Sequence, residues 1–227
     1  HGLISIGTNV MKDLLKVGIG TQGKSHVIFP GLHDLDLIPK TQAQTELGLD
    51  PEKLYLVFVG RLTQINRPDR LVEIAAELKT EHPNVHLLVA GAGELFDVTK
   101  SEAESQELPM TFYGWRNDIA RILSASDIAI LCSDNEGIPL TLIQAAQAGL
   151  PIVTTDVGSV SDIVKHGISG TLVGCSSAEL AQGLKVLIQD QDLRDLYGLA
   201  GKKRANEYFS SRSMVQAHEQ LYRDLLK

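Results

Sequence analysis

The chain has 227 residues, enough for one substantial domain or one domain with pieces of a neighbour. Hydrophobic residues make up 43% and charged residues 22%, which excludes disordered and fibrous classes. Twenty-one basic against 28 acidic residues leave a net charge of −7, so no nucleic-acid partner is expected.

In chain order, residues 3–6 read as a strand, 9–17 as a helix and 26–29 as a second strand. Pro30-Gly31 and the polar stretch 39–45 read as a linker. LYLVFV at 54–59 is an apolar run closed by Gly60. Leu71, Ile74, Ala75 and Leu78 then recur at i, i+3, i+4, i+7, the signature of an amphipathic helix. Further β-rich runs lie at 85–90, ending in Gly91, at 110–113, ending in Gly114, and at 128–132, 151–155 and 170–173. Helical segments are expected near 117–124, 139–148 and 158–166, then at 178–189, 191–207 and 212–226. Continuously apolar strands are buried on both faces, which means a parallel sheet. Repeated βα units make this an α/β, Rossmann-like doubly wound domain.

No apolar run approaches the roughly 20 residues that span a bilayer, and no signal segment opens the chain. The start at His1 and not Met marks the chain as an expected piece of a longer one. Cys132 and Cys175 are too few for a disulfide framework and lack metal-ligand spacing, so a reducing, cytoplasmic compartment is expected.

Gly18, Gly23, Lys24 and Ser25 fit the spacing of a phosphate-binding P-loop. Such a loop needs a strand entering and a helix leaving. Here a helix enters and a strand leaves, so an NTPase reading fails if that order holds. Gly91-Ala92-Gly93 follows a strand, but Phe96 stands where a dinucleotide fingerprint needs its third glycine. The pair marks either a close backbone approach to a ligand or a tight turn.

The richest segment runs from Ser133 to Thr141. A buried strand ends, a polar turn follows, and a helix starts near Pro139. Free amides at that start favour an anion, and Gly137 allows close approach. Glu136 beside such a cradle suits sugar hydroxyls, or else caps the helix. Gln144 shares a face with Leu140 and Thr141, or is merely solvated. Arg61 after the first long strand suits a pyrophosphate, or a surface ion pair. Asn66, before Arg67-Pro68, is also a sufficient N-cap.

Together these residues resemble the C-terminal domain of GT-B glycosyltransferases, the retaining group 1 family. The resemblance is carried by VFVGRL (57–62), RPDRLVEIAAEL (67–78), HLLVAGAGE (86–94), TFYGW (111–115), the long stretch 125–164, HGISGTLV (166–173) and the closing helix 209–226. It implies that residues 1–37 are the last segment of an N-terminal acceptor domain plus the interdomain linker. Residues 38–207 would bind a nucleotide-sugar donor, and 208–227 would be the closing helix. It implies that Glu136 holds donor-sugar hydroxyls and that the segment Gly137, Ile138, Pro139, Leu140 and Thr141 holds the sugar or diphosphate through its free amides, those of every residue but Pro139. Arg61 would face the diphosphate, Trp115 and Arg116 would border the base, and Gly91 and Gly93 would lie near the donor. No metal or other cofactor is implied. The partners implied are a nucleotide-sugar, a saccharide or lipid-linked acceptor, and the absent acceptor domain, through which the protein would also reach the inner face of a membrane.

The sequence departs from the family pattern at two positions. Asn66 stands where the family places a Lys, with Arg67 next door, and Gln144 stands where it places the acid that holds the ribose diol. The expected function is retaining hexosyl transfer, with the isolated domain inactive by itself. The alternative is a degenerate, non-catalytic nucleotide-sugar-binding scaffold.

Overall fold

Eight strands fall into two parallel sheets in the computed structural model, which describes residues 2–227. The first pairs β1 (Leu3–Ser5) with β2 (Ser25–Val27). The second holds β3 (Leu54–Val59), β4 (Val85–Ala90), β5 (Met110–Gly114), β6 (Ile128–Leu131), β7 (Ile152–Thr155) and β8 (Gly170–Val173). Its order is β5-β4-β3-β6-β7-β8, and every neighbouring pair is parallel. The most continuously apolar runs take the central places. Leu56, Val57 and Phe58 of β3 and all of β6 are buried, as strands covered on both faces must be.

The helices are α1 (Thr8–Lys16), α2 (Lys40–Leu47), α3 (Pro68–Glu81), α4 (Phe96–Ser105), α5 (Ile119–Ala125), α6 (Leu140–Gln147), α7 (Val160–Ile163), α8 (Ser177–Gln189), α9 (Gln191–Tyr208) and α10 (Ser211–Leu225). On one face α3 packs on α4 and α8; on the other α2 packs on α5, and α6 on α9. The expected stripe of α3 (Leu71, Ile74, Ala75, Leu78) is buried, each Leu or Ile side chain stabilising the fold by about 1.5–3 kcal/mol.

Two local readings change, and one helix had no reading. The polar stretch 39–45 is not linker: residues 40–47 form α2, entered at Pro39 and closed by Gly48 at φ 66°. Only Ala43 and Gln44 of α2 are buried, so it shows no apolar stripe. Helix α4 was not marked by periodicity for the same reason, since Thr99 and Ala103 alone are buried. The segment 158–166 is helical only over Val160–Ile163.

The chain runs outward from β3 through β4 to β5, returns to the centre at β6, and runs the other way to β8. This reversal between β3 and β6 opens a crevice at the carboxyl ends of the strands, where open α/β sheets bind ligands. Gly60, Gly91, Gly114 and Cys132 all lie on that one edge, as the parallel registers require. At Gly18–Ser25, α1 enters, a 3₁₀ turn at Gln22–Lys24 follows, and β2 leaves. That is the order which rules out a P-loop.

The small sheet is fastened to the large one near the crevice. The first amides of α1 lack a cap of their own, because Gly7 precedes them. They are capped across the gap instead: Thr8 N donates to Asp162 Oδ2 at 2.6 Å, and Asn9 N and Val10 N donate to Ser159 Oγ at 3.1 and 3.2 Å. At the other end, Leu32 N donates to Phe209 O and Ser211 N to Leu32 O, at 2.8 and 2.9 Å.

Candidate functional site

Two loops face each other across the reversal, residues 60–67 after β3 and 132–139 after β6. Asp134 N donates to Ile65 O at 2.8 Å. The thiol of Cys132 lies 3.2 Å from both Asn66 O and Arg67 O, and burial pushes that thiol far above its ordinary range. Buried Arg70 reaches from α3, donating to Cys132 O at 2.6 Å and pairing with Asp134 at 2.6 Å. These contacts hold the loops in one register.

Glu136 stands half-buried at the centre. Ser133 Oγ donates to its Oε1 at 2.7 Å, and Asn66 Nδ2 approaches the same oxygen at 3.4 Å. The Thr63 hydroxyl donates to Asn66 Oδ1, and the Nδ2 end of the amide faces Glu136, whose carboxylate can only accept. Both donors converge on Oε1, and no described residue donates to Oε2. Burial pushes the Glu136 carboxyl above its ordinary range, with Ser133 and the Arg61 guanidinium pulling the other way. Arg61 is exposed, and it forms no ion pair among the described residues. Its positive charge acts on Glu136 across the crevice.

The backbone behind Glu136 is braced. A Cβ on Gly158 (φ 53°) would sit 1.6 Å from Glu136 O, so only glycine fits there. Ser159 N donates to Gly137 O at 3.1 Å. Ile138 and Pro139 turn their side chains into the protein, while Gly137 and Leu140 are exposed. Helix α6 starts at Leu140 with no acid in its first turn and no side-chain cap. Its positive end therefore faces the crevice uncompensated by a carboxylate. Thr141 is half-buried and Gln144 follows one turn later. Gln144 borders a groove of about 410 Å³ shared with Asp36, Asn117 and Ile119.

Other expected residues sit at the same edge with different occupations. Arg67, at φ 53°, gives its guanidinium to Asp69 and Asp134, at 2.7 and 3.1 Å. Those bonds hold it above its already high ordinary pKa and point it toward the side of α4. Arg116 is bound to Asp118 and lies over the Tyr113 ring at 5.3 Å. Trp115 is 76% exposed at the end of β5. Gly91 and Gly93 have a structural reason of their own: a Cβ would meet Gly60 O at 1.7 Å and Leu62 O at 2.3 Å. Their turn packs backbone on backbone against the loop that carries Arg61. Ser133 and Thr63 were not singled out from sequence. The spacing Ser133-x-x-Glu136 was the available signal for the first.

This architecture is that of an open, doubly wound α/β domain with a polar crevice at its switch point. Residues 39–204 match the glycosyl transferases group 1 family, and the chain belongs to it. It is 27% identical over 191 residues to an N-acetyl-alpha-D-glucosaminyl L-malate synthase of Bacillus anthracis, covering 82% of this chain and 50% of that one. It is 32% identical over 174 residues to a D-inositol 3-phosphate glycosyltransferase of Mycobacterium marinum, covering 71% and 36%. Among solved structures, Anabaena Alr3699/HepE in complex with UDP and glucose superposes with a TM-score of 0.87 at 20% identity, over 100% of this chain and 63% of that one. That likeness carries the fold. The chain spans about half the length of the curated relatives it matches. Among the described residues no helix is long and apolar enough to cross a membrane.

Proposed function

We propose that this chain is the donor-binding half of a retaining, nucleotide-sugar-dependent glycosyltransferase that passes a hexosyl unit to a saccharide or lipid-linked acceptor. The observation that carries the reading is Glu136: a half-buried carboxylate at the switch point, pinned by one oxygen, beside an unpaired Arg61 and an uncapped helix start. The curated relatives' names describe sugar-transferring enzymes, and the Anabaena structure holds UDP and glucose.

In this reading Glu136 Oε2 accepts donor-sugar hydroxyls and fixes the anomeric carbon. Arg61 and the amides of residues 137, 138, 140 and 141 stabilise the leaving diphosphate as its bond to the sugar breaks. Gln144 bonds the ribose, Trp115 and Arg116 border the base, and the Gly91–Gly93 turn supports the Arg61 loop. Positive charge comes from side chain and helix, with no metal or cofactor assigned. Residues 1–37 belong to an acceptor domain and linker, 38–207 to the donor domain and 208–227 to the closing helix. The compartment in this reading is cytoplasmic, with any membrane contact made through the acceptor domain.

One observation favours a degenerate scaffold instead. Arg67 is held by two carboxylates and does not replace the cation that Asn66 lacks. The test is the whole protein assayed for transfer from UDP-, GDP- and ADP-hexoses, beside the Glu136→Ala variant. Transfer that survives Glu136→Ala unchanged defeats the site assignment. Donor binding without transfer supports the scaffold.

A further inference from the structure

Three polar side chains lead in one direction to Glu136. Its carboxylate can only accept, so the Asn66 amide turns Nδ2 toward Glu136 and Oδ1 toward Thr63, whose hydroxyl donates to it. The single hydroxyl proton of Ser133 goes to Glu136 Oε1 at 2.7 Å, which leaves the Ser133 oxygen to accept from Asn66 Nδ2 at 3.3 Å. Donation therefore runs from Thr63 through Asn66 and Ser133 and ends on Oε1. The backbone holds this set in place. The buried Thr155 hydroxyl donates to Ser133 O at 2.7 Å, and the bond from Asp134 N to Ile65 O ties together the two loops that carry the three residues.

Helix capping does not account for the arrangement. Ser176 and Glu179 have the same spacing at the start of α8, and there the Glu179 backbone amide donates back to Ser176 Oγ at 3.3 Å, as an N-cap requires. Among the described residues no backbone amide donates to Ser133 Oγ, and α6 starts only at Leu140. Ser133 is fully buried, where a hydroxyl is costly unless bonded, and its one proton is spent on a side chain that faces the crevice.

We propose that Thr63, Asn66 and Ser133 form a positioning relay, which saturates Glu136 Oε1 and thereby presents Oε2 to the donor sugar. This rests on the reading of Glu136 as the sugar-holding carboxylate. Asn66 then serves the sugar side of the site and not the diphosphate. Hydrogen bonds in a one-directional chain strengthen one another. Loss of the Thr63 hydroxyl, which itself makes no bond to Glu136, therefore weakens both contacts of the Asn66 amide.

The first readout is ¹³C NMR of the Glu136 side chain in the ligand-free chain. Ser133→Ala removes a bond to the charged form and should raise the Glu136 titration by about one pH unit. Thr63→Val keeps the shape, removes the distal donor, and should raise it by about 0.3 pH unit. Thr63→Ser keeps the donor and should leave it at the native value. Arg61, whose charge also acts on Glu136, is unaltered in all three. The second readout is calorimetry of UDP-glucose against UDP, GDP-mannose against GDP and ADP-glucose against ADP. For the pair that binds, Thr63→Val should weaken the sugar nucleotide about threefold and Ser133→Ala about tenfold, with the bare nucleotide unchanged. A Glu136 titration unmoved by Thr63→Val, or moved as far by Thr63→Ser, overturns the relay. Equal weakening of sugar nucleotide and bare nucleotide marks a general loss of packing and overturns the positioning role. Glu136→Ala, measured beside them, separates the two failures. Native affinity for the sugar nucleotide in that variant, or no binding of any pair by the native chain, defeats the reading of Glu136 and with it the sugar role of the relay, whatever the titrations show.

Discussion

The amide of Asn66 and the carboxylate of Glu136 meet across the switch point at 3.4 Å, one from the loop after β3 and one from the loop after β6. With Ser133 on the same oxygen at 2.7 Å, the carboxylate is tied on one side and open on the other. A group so held has one productive orientation toward a ligand and little rotational freedom to lose on binding.

Glu136 should titrate above the ordinary 4.5 of a glutamate, because burial penalises its charged form more than Ser133 and Arg61 favour it. A raised folded-state value means the native state binds the proton more tightly than the unfolded chain. Its contribution to stability is therefore lost as pH rises through the folded value. In the proposed reading sugar hydroxyls donate to the carboxylate, so donor affinity should rise over the same interval. ¹³C NMR of the side chain, with and without UDP-glucose, GDP-mannose or ADP-glucose, checks both signs. A titration at or below 4.5, or one that no donor moves downward, would contradict this account.

Two glycines at the same edge should behave differently when changed to alanine. At Gly91 the new Cβ would lie 1.7 Å from Gly60 O, so the Arg61 loop must move. At Gly114 (φ 67°) nothing lies within 4 Å, and only backbone strain is added. Gly114→Ala should cost about 1 kcal/mol and Gly91→Ala about 3 kcal/mol or more. Urea denaturation with unchanged m-values measures the pair, and equal losses would show that the close approach relaxes freely.

The latch between the loops should depend on Arg70 more than on Arg67. Arg70 is buried and holds Cys132 O as well as Asp134. Arg67 meets carboxylates that are 47% and 43% exposed. Arg70→Met should cost about 2 kcal/mol, and Arg67→Met less than about 1 kcal/mol. Burial opposes ionisation of Asp134, yet the two guanidinium bonds outweigh it and hold it below the ordinary carboxylate range. That contribution is present above an unfolded-state value near 3.8 and is lost as acid takes the pH through the folded value. Thermal melts between pH 7 and 2 should show a smaller acid loss in Asp134→Asn than in the unaltered protein, since Asp69 and Asp118 share the same direction.

The centre of the fold was legible because β3, β4 and β6 are buried on both faces and cannot hide among polar residues. Helices α2 and α4 were not, since each buries only two residues, one of them polar. Pro39 and Gly48 bracket α2 and were the usable signal. Glu136 was legible from its place between an apolar strand and a proline-led helix. What periodicity cannot carry is long-range pairing. That Asn66 bonds Glu136, that Arg67 turns to Asp134, and that Gly91 serves backbone packing are facts of loops about 30 to 70 residues apart.

The two departures at Asn66 and Gln144 decide between enzyme and scaffold, and they should respond differently to reversion. In the whole protein Glu136→Ala should lower turnover at least tenfold, about 1.4 kcal/mol of transition-state stabilisation. Asn66→Lys gives up the amide bonds to Thr63 and Glu136 and places an ammonium beside both the carboxylate and the leaving diphosphate. It should pull the Glu136 titration down and raise kcat, because the cation acts on charge that grows as the bond breaks. Gln144→Glu lies a turn into α6, away from the reacting atoms. It should lower KM for the donor and leave kcat nearly unchanged, since bonds to a ribose diol, as proposed for this position, would be the same before and during transfer. If the unaltered protein transfers no sugar from any donor while the double variant does, the native chain is a binding scaffold. If Asn66→Lys moves the Glu136 titration without changing turnover, the cation is not what limits transfer, and Arg61 with the α6 amides is sufficient.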